Sequence, residues 1–143
     1  MIHGIDTGFL VAALVVEHSD HDRVRRRLAD LLAVGDHFAL APQVLAEFIH
    51  VVTEPRRFAE PLNITAARDL AEQWWTASDV DQVFPNESAV GQFLLWLRQH
   101  KLGRKRLLDT LLAATYSQAG VQSILTNNPS DFAVFDNISC ISP

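Results

Sequence analysis

Four carboxylates stand where their neighbours argue against them. In "PQVLAEFIHVVT" (42–53), Val44, Phe48 and Val51 fall about one turn apart, with Glu47 between them. Glu47 is i+3 from Val44 and i−4 from Val51, so it lies on the apolar stripe of a helix and not opposite it. "RLLDTLLAATYSQAG" (106–120) repeats the pattern, with Leu112, Ala113 and Tyr116 at i+3, i+4 and i+7 from Asp109. An ionised acid alone in apolar surroundings is costly and would sooner take up a proton. Asp6 ends the apolar run "MIHGI", and Asp131 follows the short run "SILT". If those runs are parallel strands of an open sheet, their carboxyl ends line the crevice where ligands bind, and all four acids meet there. Two carboxylates about 4 Å apart repel by roughly 4 kcal/mol at an effective dielectric of about 20. Four in one hollow call for protons or a hard divalent ion, and Mg²⁺ or Mn²⁺ prefers such oxygen donors.

Plainer uses compete with this one. Asp6 suits the N-cap of the following helix, a role compatible with ligation. "TNNPSDF" (126–132) is rich in residues that favour turns. His18 and His21 are i, i+3 neighbours, but they lie in a polar stretch without a third ligand nearby; they read as solvated surface and not as a zinc site.

The elements that must position these acids follow from periodicity and punctuation. "MIHGI" (1–5) reads as a strand and "DTGFLVAALVV" (6–16) as a helix opened by Asp6 or Thr7. "HDRVRRRLADLLAV" (21–34) has helical apolar spacing with a basic outer face, and Gly35 ends it. "HFALA" (37–41) is a second strand, and Pro42 opens the next helix. "TAARDLAEQWWTAS" (65–78) is a helix, "DQVF" (81–84) a short strand, and "NESAVGQFLLWLRQH" (86–100) a helix with an Asn cap. The segment 106–120 is a helix stopped by Gly120, and "VQSILT" and "ISCIS" supply the last strands. Strands alternating with helices predict a three-layer α/β fold with a mainly parallel sheet of four or five strands, in one domain over residues 1–143.

Bulk composition restricts the partners. With 48% hydrophobic and 20% charged residues the chain is that of a folded soluble protein. A net charge of −5 and a pI near 5.6 mean that contact with nucleic acid requires a local basic patch or a metal. Four of the 12 Lys and Arg residues, Lys101, Arg104, Lys105 and Arg106, stand in "KLGRKR" just before Asp109, placed to hold phosphates. Four more in "RVRRR" (23–27) read as the wet face of a helix. The lone Cys140 excludes an intramolecular disulfide and a cysteine zinc site. No signal-peptide pattern is present, and the apolar run Phe9–Val16 is too short to span a bilayer; a cytoplasmic protein without membrane association is expected. Trp74, Trp75 and Trp96, with Phe93, suit core, a dimer contact or a partner groove; adjacent Trp74 and Trp75 cannot both face inward well, which predicts an exposed apolar patch.

"IDTGFL", "APQVLAEF", "LLDTLLAAT" and "ILTNNPSDF", in that order and spacing, resemble the PIN-domain family, and within it the VapC-type ribonuclease toxins of prokaryotic toxin–antitoxin pairs. The resemblance covers nearly the whole chain. It implies a three-layer α/β/α domain and a Mg²⁺- or Mn²⁺-dependent endoribonuclease. Its catalytic and metal-binding acids would correspond to Asp6, Glu47, Asp109 and Asp131, assisted through hydrogen bonds by Thr7, Thr126 and Asn128. It further implies an RNA substrate, a cognate antitoxin and a homodimer. Many relatives place an acid where this chain has Asn128, which leaves Asp131 as the fourth acid. A PIN nuclease of RNA maturation without toxin duty keeps the same site. A non-catalytic α/β interaction module, whose acids hold a structural cation or cap helices, does not.

Overall fold

The expected alternation of strands and helices holds from end to end, and the differences are confined to element boundaries. The computed structural model describes residues 1–143. Its elements run β1 (Ile2–Ile5), α1 (Thr7–Leu14), α2 (His21–Ala33), β2 (His37–Leu40), α3 (Pro42–Val52), α4 (Ile64–Trp75), β3 (Val80–Gln82), α5 (Glu87–Gln99), α6 (Leu107–Gln118), β4 (Ser123–Leu125) and β5 (Ser139–Ile141). Single 3₁₀ turns form at Arg104–Arg106 and, inside the turn-favouring stretch 126–132, at Pro129–Asp131. The helix starts follow the caps in the sequence. Asp6 accepts from the Thr7 N–H, Asn63 from Ala66 and Asn86 from Ala89, and Pro42 occupies the first turn of α3. Gly35 and Gly120 follow α2 and α6 with φ of 86° and 79°, the left-handed geometry that lets the chain turn back.

The sheet order is β3-β2-β1-β4-β5, and every neighbouring pair is parallel. The sheet is therefore wholly parallel, and all five carboxyl ends share one edge. Right-handed crossovers place α1–α4 over one face and α5 and α6 over the other. The packing agrees, with α1 on α2 and α3, α3 on α4, and α5 on α6. Chain direction across the sheet reverses at β1, which opens a crevice between the carboxyl ends of β1 and β4.

One aromatic side chain sets α6 against β1. Tyr116 is fully buried, and its hydroxyl donates to the Ile5 carbonyl at 2.6 Å. The ring lies against Gly4, where a Cβ would stand only 2.5–2.8 Å from it, so β1 needs a residue with no side chain there. Asp109 is seven residues before Tyr116, two turns along the same face; fixing Tyr116 beside Ile5 therefore brings Asp109 toward Asp6. At the opposite edge, the Met1 amino group donates to Asp36 at 2.7 Å. Asp36 also meets His3 Nε2 at 2.9 Å, and His3 Nδ1 lies 2.5 Å from the Ser123 hydroxyl. That chain ties β1, β2 and β4 together at their amino ends.

The tryptophans correct an expectation. Trp96 is buried against Phe135, with ring centroids 4.7 Å apart, while half-buried Trp74 packs on Phe38 and Trp75 edge-on to Phe84. Each ring finds an aromatic partner, although Phe84 itself stays exposed; on the α5–α6 face the exposed apolar residues are Val90, Leu94 and Leu95 of α5 and Leu107 and Leu108 of α6. No helix is long and apolar enough to cross a membrane.

Candidate active site

Asp6, Glu47, Asp109 and Asp131 all line one cleft of about 530 Å³ at the carboxyl edge of the sheet. Asp6 leaves the end of β1, Glu47 projects from α3 and Asp109 from the first turn of α6. Asp131 comes from the 3₁₀ turn after β4. The parallel pairing of β4 with β1 is what carries Asp131 to this edge.

Asp6 is the most enclosed of the four and the most firmly held. Its Oδ1 accepts from the Thr7 N–H at 2.8 Å and its Oδ2 from the Thr126 hydroxyl at 2.8 Å. Thr126 is itself buried and accepts from the Asn128 N–H at 3.0 Å. Asn127 donates from Nδ2 to the Gly8 carbonyl at 3.3 Å, which ties the same turn to α1. Of the residues expected to assist the acids, Thr126 therefore binds Asp6 directly, Thr7 contributes its main-chain N–H to Asp6 and lines the cleft with Glu47, and Asn128 lines it too.

Crowding and burial raise the proton affinity of three acids. Burial pushes the Asp6 carboxyl up to about 6, against the Thr126 and Thr7 hydrogen bonds that favour the charge, with Glu47 and Asp131 adding repulsion. Asp109 also rises to about 6, through burial and then the charges of Asp6 and Asp131, opposed by Arg106. Glu47 moves in the same direction, through burial and then Asp109. Each acid thus experiences the charge of at least one other. A hard divalent cation reverses the sign of that field.

The donor set fits Mg²⁺ or Mn²⁺: carboxylate oxygens with hydroxyl and amide neighbours and no thiolate. No three of these side chains form a ready-made ligand group as their rotamers stand, so gathering them on one ion requires side-chain rotation. Around the acids the cleft has features that sequence reading missed. His18 is half-buried and lines the cleft, its Nδ1 accepting from the Asp20 N–H at 3.0 Å. His21 places Nδ1 2.8 Å from the Ala12 carbonyl, so neither histidine is simply solvated surface. Arg57 and Phe58, from the connection between α3 and α4, form part of the wall. The basic run divides. Lys101, Arg104 and Lys105 are exposed, whereas Arg106 turns inward and donates from Nη2 to the Asp131 carbonyl. None of the four lines the cleft.

A family model for the PIN domain matches residues 5–137. The chain belongs to the PIN-domain family. Several solved structures share its fold. VapBC2 from Rickettsia felis, bound to a promoter DNA fragment, aligns with a TM-score of 0.71 at 19% identity over 100% of this chain and 99% of that one. VapBC-1 from nontypeable Haemophilus influenzae aligns at 0.69 and 18% identity over 99% and 98%. Mycobacterium tuberculosis VapC20, a sarcin–ricin loop cleaving toxin, aligns at 0.65 and 19% identity over 87% of each chain. At such identities the likeness is one of fold, and this PIN domain has the three-layer architecture of VapC toxins. Comparison with curated protein sequences finds no match.

Proposed function

We propose that this PIN domain is a Mg²⁺- or Mn²⁺-dependent endoribonuclease, the toxin of a toxin–antitoxin pair. The observation that carries the reading is the presence of four acids from four separate elements in one cleft, three of which, Asp6, Glu47 and Asp109, have proton affinities raised by burial and by neighbouring carboxylates. Asp6 and Asp109 would be the principal holders of the cation with Asp131 beside them, and the ion would supply an acidified water and charge neutralisation for phosphodiester hydrolysis. The chain's own groups prepare this chemistry. Thr7 N–H and Thr126 Oγ1 fix both oxygens of Asp6, which sets the carboxylate plane. Glu47, with its raised proton affinity, is suited to orient the attacking water and accept its proton. Lys101, Arg104 and Lys105 are exposed beside the start of α6, where they can hold RNA phosphates outside the cleft.

The toxin role draws its support from the shared fold with VapBC complexes, whose architecture accommodates a protein partner. The exposed leucines of α5 and α6 favour a homodimer as well, since they leave an apolar strip facing water. Incubation of the purified chain with RNA and Mg²⁺, followed by analysis of the new ends, tests the chemistry. Water attack leaves 5′-phosphate and 3′-hydroxyl ends, and 2′,3′-cyclic phosphate products would overturn the reading. Growth arrest on expression, relieved by a small neighbouring gene product, tests the toxin role.

A further inference from the structure

Arg57 is the only Lys or Arg lining the acidic cleft, and the metal chemistry does not use it. It is exposed, and the chain's four ion pairs do not include it. Its loop is braced: Arg57 N–H donates to the Glu54 carbonyl at 3.2 Å, Arg56 N–H to Glu54 Oε1 at 3.1 Å, and Leu62 N–H to Val52 at 2.9 Å. The backbone is thus fixed at the cleft wall, while the Arg57 guanidinium forms an ion pair with none of the four acids. Phe58, the next residue, is half-buried against the core. It lines both the cleft and an adjoining recess of about 390 Å³ whose other apolar walls include Leu14, Val15, Val52 and Leu62.

A carboxylate cleft repels the polyanion it is meant to cut, and a positive side chain at its wall would add to a bound cation's relief of that repulsion. The planar guanidinium fork matches phosphate oxygens bidentately. Single-stranded nucleic acids are gripped by such cations combined with aromatic faces on which bases stack. We propose that Arg57 and Phe58 form the substrate grip of this cleft, with the Arg57 guanidinium on the non-bridging oxygens of a phosphate and the Phe58 ring against the neighbouring base of single-stranded RNA, seated in the apolar recess. This rests on the nuclease reading and adds to it the two side chains that position the substrate.

The experiment is steady-state cleavage of a short single-stranded RNA by the full chain in Mg²⁺ across a salt series. Calorimetry with MnCl₂ on each variant reports the metal site and the fold independently. Arg57→Gln should lower kcat/KM about 10- to 100-fold, mainly through KM, as expected for loss of a hydrogen bond to a charged group. It should also flatten the salt dependence by about 0.7 in log–log slope, the value for one phosphate contact to a single strand. Phe58→Leu keeps apolar bulk without a stacking face and should cost about 5- to 100-fold, whereas Phe58→Trp should retain activity. Mn²⁺ affinity should match wild type throughout. An unchanged slope and KM in Arg57→Gln overturns the grip. So does a Phe58→Leu chain with wild-type kinetics, which would leave the recess to an apolar protein segment. A wild-type chain that cuts no RNA removes the nuclease reading and the grip together; an active wild type with unaltered variants removes the grip alone.

Discussion

Asp6→Asn should make the metal-free protein more stable, not less, with a gain that grows between about pH 4 and pH 6 and is complete above about pH 6. Asp6 is 9% exposed, so solvent does little to relieve its charge. Its carboxyl rises from 3.8 to about 6 in the fold, which corresponds to about 3 kcal/mol of destabilisation once it is ionised. The sign follows from proton linkage. Below about pH 4 the group is protonated both folded and unfolded, and it contributes nothing. Between about 4 and 6 the unfolded chain gives up its proton first, so the folded state loses ground as pH rises, and above about 6 the loss is complete. Asparagine removes the charge. It keeps an oxygen for the Thr7 N–H but presents an amide to the Thr126 hydroxyl, which offsets about 1 kcal/mol. The net gain is then about 2 kcal/mol at pH 8, or roughly 4–8 °C in melting temperature for a chain of this size. Thermal unfolding followed by circular dichroism in EDTA at pH 8 and near pH 4 reads the difference directly. Added Mn²⁺ should reverse the order, because cation binding stabilises only the chain that retains the ligand. A variant that melts below wild type at pH 8 in EDTA, or a gap independent of pH, would refute the reasoning.

Three further outcomes follow from the same geometry. Thr126→Val removes the hydroxyl on Asp6 Oδ2 while keeping the buried volume, and should weaken Mn²⁺ binding about 10- to 100-fold and push the activity profile to higher pH. Gly4→Ala places a methyl within 2.8 Å of the Tyr116 ring and should cost about 1–3 kcal/mol by overpacking, read as a lower urea midpoint, with loss of metal affinity as α6 shifts. Asn86→Ala removes the oxygen that accepts from the Ala89 N–H and should cost about 0.5–2 kcal/mol at α5 without changing Mn²⁺ affinity.

Glu47 and Asp109 were legible because an acid on an apolar stripe contradicts the helix around it, and burying it demands a reason. Asp6 was legible from its place at a strand end before a helix, where one carboxylate caps the helix and also faces the cleft. Asp131 was legible only through the assumption that β4 runs parallel to β1, which the register supports. The residues that stayed hidden depend on how connections fold back. His18, Arg57 and Phe58 lie in loops whose polar composition is the same whether they face solvent or a cleft. The basic run before α6 illustrates the limit within a few residues: composition grouped Arg106 with Lys101, Arg104 and Lys105, but the helix start turns Arg106 toward Asp131 and leaves the others outside. The tryptophans mislead for a related reason, since adjacency predicts exposure only where no second aromatic ring is near.

Calorimetric titration of the full chain with MnCl₂, repeated on Asp109→Asn, meets the central claim without depending on any RNA. Wild type should bind with millimolar or tighter affinity and release protons from its high-affinity carboxyls near pH 6, and Asp109→Asn should abolish both signals. Binding that survives in Asp109→Asn, or wild type that takes up no Mn²⁺, would contradict the account.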